Sequence, residues 1–73
     1  MKVTIKGKGF IKKHIPDHEI DIKPGTRLSQ LPAILSLPEQ LPVFYIVNAT
    51  VIKKDAEIRD GDIITIVSTL SGG

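Results

Sequence analysis

The chain has 73 residues, 41% hydrophobic and 25% charged, with a net charge of +2 from ten basic and eight acidic side chains and no cysteine. That is one globular domain, too small to fold around a core and also enclose a substrate-sized cavity, and a net charge too low to indicate a nucleic-acid protein. Disulfides, thiolate metal sites and cysteine nucleophiles are excluded. No apolar run nears the roughly 20 residues of a membrane span, and the N-terminus lacks the apolar region of a secretory signal, so a cytoplasmic protein with no membrane partner is expected.

In residues 2–6 polar and apolar side chains alternate, which predicts a strand with Val3 and Ile5 facing the core. Gly7 and Gly9 interrupt it, either of them a candidate bulge. Residues 19–23 alternate again after the Pro16-Asp17 turn, so the first two strands form an antiparallel hairpin. Leu28, Leu31, Ile34, Leu35 and Leu37 then recur at helical spacing. With Ser29 as N-cap, Pro32 falls in the first turn where its missing N–H is not needed, which predicts a short helix over residues 30–36 closed off by Pro38.

Residues 43–47 are apolar without alternation and read as a strand covered on both faces. Asn48-Ala49 is a tight turn into residues 50–52. A polar connection anchored by Ile58 follows, then the Asp60-Gly61-Asp62 turn, whose carboxylates are expected to cap backbone, and a last strand over residues 63–67. Four or five strands and one helix bury their apolar sides as two α+β layers, a mixed sheet wrapped across the helix, with the first and last strands parallel at its centre. Residues 1–67 are therefore expected as the domain and 68–73 as a flexible tail.

The tail is Ser68, Thr69, Leu70, Ser71, Gly72 and Gly73. A Gly-Gly pair here shapes no further turn; without Cβ atoms it can enter a channel only as wide as backbone. A terminal α-carboxylate is an anion at neutral pH and can attack the α-phosphate of ATP to give an acyl-adenylate. Six extended residues reach on the order of 20 Å, enough to place Gly73 in a partner's buried site. A frayed end is the plainer reading of such a terminus taken alone.

Element order, Val47-Asn48, Asp60-Gly61-Asp62 before an Ile/Val strand, and Gly72-Gly73 together resemble the β-grasp, ubiquitin-like sulfur carriers: the thiamine sulfur carrier and the molybdopterin synthase small subunit. The resemblance implies that a ubiquitin-activating-type enzyme, using ATP, adenylates Gly73. The adenylate becomes a thiocarboxylate whose sulfur passes to a biosynthetic enzyme. It also implies that Gly72 and Ser71 thread the partner's channel, and that the chain has no catalytic residue and no bound cofactor of its own. Leu70, the one large apolar tail residue, is a candidate partner contact. Two positions depart from the family pattern. Ala49 stands where glycine usually follows Asn, so a turn other than type I′ is expected, and Thr69-Leu70 replaces two prolines, which favours the thiamine pathway slightly over molybdopterin.

Other residues carry weaker signals. His14 and His18 are separated by Pro16 and read as solvated turn residues rather than metal ligands. Lys6, Lys8, Lys12, Lys13, Lys53 and Lys54 read first as an outward, solvated face. Two further functions share the fold: a protein modifier joined through Gly73 to target lysines, and a binding module with an incidental tail. No nucleophile-base pair supports an enzyme in its own right.

Overall fold

The computed structural model describes residues 1–38 and 41–68. Five strands form one sheet: β1 (Lys2–Lys8), β2 (His18–Asp21), β3 (Val43–Val47), β4 (Thr50–Ile52) and β5 (Ile63–Ser68). Their order is β2-β1-β5-β3-β4, with β1 and β5 parallel at the centre and the other neighbours antiparallel. This is the mixed α+β sheet expected from the element order, and the β-grasp architecture that the resemblance implies. Val3 and Ile5 of β1 and Ile64 and Ile66 of β5 point to one face and are almost wholly buried. Among the described residues one α-helix, α1 (Leu31–Ile34), lies beneath with Leu31 buried, and Ile11, Ile15, Ile22, Leu28 and Ile58 complete the core.

Neither early glycine makes a bulge. Gly7 stays in register opposite Ile66. A Cβ on Gly7 would lie 2.9 Å from the Ile15 carbonyl oxygen and 3.2 Å from Lys12 Cα. The bare backbone lets a 3-10 helix (Gly9–Lys13) cross close over the strand and sink Ile11 and Ile15 into the core. Gly9, at φ 75°, makes the departure from β1.

The helix is shorter than its spacing predicts, and Ser29 is not its N-cap. Leu28–Gln30 form a 3-10 helix leading into α1. Gln30 precedes α1 instead, and the Ser29 N–H and Oγ both donate to the Asp55 carboxylate, at 3.0 and 2.9 Å. At the other end Ser36 takes φ 58°, with its N–H donating to the Ala33 carbonyl and the Leu37 N–H to the Pro32 carbonyl. That is a Schellman stop, with Ser in the position glycine usually fills, and it ends the helix before Pro38 is reached.

Asp55 also accepts from Arg27 Nε at 3.0 Å, the one ion pair among the described residues. Beside it the Leu28 N–H donates to Ala56 O and the Ile58 N–H to Thr26 O, so the connection after β4 is laced to the helix entry. The Arg27 bond, then those from Ser29, hold the Asp55 carboxyl at about 2, below its ordinary 3.8.

Two expectations about β3 and its turn are corrected. The strand is half-buried along its length rather than covered on both faces. Val43, Tyr45 and Val47 pack against the core, whereas Phe44 and Ile46 alternate to the outer face. In the two-residue loop to β4, Asn48 and Ala49 have φ 50° and 71°, so Ala49 does adopt the left-handed conformation of a type I′ turn.

Candidate docking face and carrier terminus

β5 is the element that presents the tail. Its start is pinned by side chains of two turns: the Ile63 N–H donates to Asn48 Oδ1 at 2.9 Å and Asn48 Nδ2 to Asp62 Oδ1 at 2.9 Å. Asp62 Oδ2 accepts from the Arg59 N–H, and Asp60 Oδ1 from the Lys2 N–H at 2.8 Å. The carboxylates do cap backbone, and Asp60 caps that of β1 rather than its own turn. At the far end Ser68, one residue past the predicted strand end, is paired with Val43. The chain therefore leaves from the middle of the sheet, flanked by β1 and β3. Thr69 and the predicted site residues Leu70, Ser71, Gly72 and Gly73 lie outside the described residues.

The outer face of the sheet carries an apolar strip around that departure. Phe44 is the cross-strand partner of Val67, Ile46 that of Thr65 and of Val51, and Ile63 stands at the start of the same β5 row. Val51 is 52% exposed and Ile63 44%, two of the three large hydrophobic side chains most open to solvent among the described residues. Lys6 and Lys8, on the same face of β1, sit beside Thr65 and Val67. The strip did leave a signal in the sequence. A strand with one buried face should alternate, and residues 43–47 do not; the excess apolar residues fit a second covering layer as well as an exposed face, and the structure leaves that face exposed.

The histidines are not brought together into a ligand set. His14 follows the first 3-10 helix, while His18 begins β2 with its Nδ1 against the Pro16 carbonyl. No three His, Cys, Asp or Glu among the described residues are placed to hold a metal.

A family model described as the ThiS family matches residues 9–73. The chain belongs to the ThiS family. ThiS proteins are β-grasp sulfur carriers, small carrier proteins rather than catalysts. No curated protein matches the chain. The ThiS match begins at the glycine that lets the chain turn off β1 and runs through Gly72 and Gly73. Among the described residues no helix is long and apolar enough to cross a membrane.

Proposed function

We propose that this ThiS-family chain carries sulfur on the Gly73 carboxyl group for cofactor biosynthesis, with thiamine favoured over molybdopterin. A ubiquitin-activating-type partner binds ATP, and the Gly73 carboxylate attacks its α-phosphate, releasing pyrophosphate and leaving an acyl-adenylate. A sulfur nucleophile supplied by the partner system then attacks the acyl carbon, AMP leaves, and a thiocarboxylate on Gly73 is passed to a sulfur-accepting enzyme. The chain itself binds no cofactor. Its contribution is position: Gly72 and Ser71 thread a narrow channel while β5 holds the root of the tail, and Leu70 contacts the partner.

The observation that carries this reading is that the family match continues through the Ser71, Gly72 and Gly73 run that follows the central strand. The apolar strip of Phe44, Ile46, Val51, Ile63 and Val67 supports it as the docking face, because the strip adjoins the strand from which the tail departs. Intact-mass spectrometry of the protein from its native cells, untagged at the C-terminus, tests it. A gain of about 16 Da localised to Gly73, the difference between oxygen and sulfur, is expected. A ladder of covalent products with other proteins would instead identify a modifier. An unmodified mass with no ATP–pyrophosphate exchange by candidate activating enzymes would leave a plain binding module.

A further inference from the structure

Lysines cluster around the end of β5. Lys8 ends β1 and lies beside Val67, the penultimate residue of β5. The 3-10 helix that follows packs against both β1 and β5, and a Cβ on its first residue, Gly9, would be 3.6 Å from the Ser68 carbonyl oxygen. That helix ends in Lys12 and Lys13, exposed like Lys8 and Lys6. None of these lysines has an ion-pair partner among the described residues.

The described acidic side chains other than Asp17 are placed elsewhere. Asp60 and Asp62 are bonded at the opposite end of β5, a strand about 20 Å long at roughly 3.3 Å per residue. Glu19 and Asp21 stand opposite Thr4 and Lys2, Glu57 opposite Arg27, and Asp55 is held by Arg27 and Ser29. Asp17 lies just before His18, the β2 residue paired with Ile5. Among the described residues, three exposed lysines, Lys8, Lys12 and Lys13, thus gather where β5 ends.

We infer that Lys8, Lys12 and Lys13 form a cationic collar at the root of the tail that docks against carboxylates bordering the channel of the activating partner, and so selects that partner. This rests on the proposed activation at Gly73. The distance decides how the collar acts. From Ser68 to Gly73 an extended chain spans about 17 Å at roughly 3.3 Å per residue, so with Gly73 at the reacting phosphate the collar sits at the channel mouth. The screening length at physiological salt is about 8 Å, too short for the lysines to influence the reacting atoms from that distance. They act on encounter and docking, and the signature is a change in KM with kcat preserved.

The test is ATP–pyrophosphate exchange by the activating enzyme of the same cell, with the full chain as substrate over a series of salt concentrations. Charge reversal of the collar (Lys8→Glu, Lys12→Glu, Lys13→Glu) is compared with reversal of three basic residues at the opposite end of the sheet (Lys2→Glu, Lys23→Glu, Arg59→Glu), which changes net charge equally. The collar variant is expected to raise KM at least tenfold at about 0.15 M salt, to leave kcat within about twofold, and to flatten the salt dependence of kcat/KM. The remote variant should stay near wild type, with circular dichroism showing both folded. Equal losses in the two variants, or no loss in the collar variant, overturn the collar while leaving activation at Gly73 intact. Loss of binding to a single-stranded RNA oligonucleotide with exchange unchanged overturns it in favour of a nucleic-acid surface. Absence of exchange with the wild-type chain removes the activation reading and the collar together.

Discussion

Ala49 holds φ at 71° in a loop whose geometry is built for glycine. An L-residue with a Cβ pays about 1–2 kcal/mol to sit in the left-handed region, while glycine costs somewhat more entropy on folding. Ala49→Gly is therefore expected to raise stability by about 1 kcal/mol, read as a higher urea midpoint with an unchanged slope. Gly7 is the opposite case. Its added Cβ would meet the Ile15 carbonyl and the Lys12 backbone, neither of which can rotate away, so Gly7→Ala should destabilise by about 1–3 kcal/mol. A midpoint equal to wild type would show that the 3-10 helix can lift off the strand. Neither outcome was legible beforehand. The sequence marks Gly7 as an interruption but not what approaches it, and the rule that Ala avoids positive φ argued against the turn the chain adopts. The hairpin holds Ala49 there because Val47 pairs with Thr50 and the Asn48 side chain is fixed to Ile63 and Asp62.

Among the elements, the helix shows why spacing alone misplaces boundaries. Leucine periodicity located α1 correctly, but its ends are set by residues distant in sequence or by local backbone: Asp55 occupies the Ser29 donors at the entry, and Ser36 closes the exit. The Asp55 link also gives this element a pH dependence. Its carboxyl titrates at about 2 in the fold against an ordinary 3.8, so the folded state favours the charged form. That stabilisation is complete above the unfolded value and is lost as pH falls through the folded one. Asp55→Asn should accordingly lower the urea midpoint at neutral pH, and its deficit should shrink as pH approaches 2. A deficit that stays constant over that interval would mean the charge of Asp55 is immaterial and only its shape matters.

At the scale of the whole molecule, one sheet has two apolar faces, and the different uses proposed for them can be separated by measurement. The inner face was legible at β1, where Val3 and Ile5 alternate with polar residues, and the element order, with a helix in the crossover, pointed to parallel β1 and β5. The outer face was not, since an unalternated run looks the same whether a second layer or a partner covers it. Ile66 has no exposed surface, so Ile66→Ala should cost about 2–5 kcal/mol and reduce activation only by depleting folded protein. Phe44 stands on the outer face, outside the core cluster and across from Val67 near the tail root. Phe44→Ala should cost little stability, about 1 kcal/mol, because a half-exposed side chain gives up less burial than a core one. An aromatic in the proposed docking strip, however, is expected to carry a disproportionate share of binding, and loss of about 1.4 kcal/mol or more corresponds to at least tenfold in kcat/KM for ATP–pyrophosphate exchange. Denaturant midpoints and exchange kinetics on both variants decide the matter. If Phe44→Ala lost stability and activation in the same proportion as Ile66→Ala, the outer strip would be serving the fold rather than a partner, and the tail would have to be recognised without it.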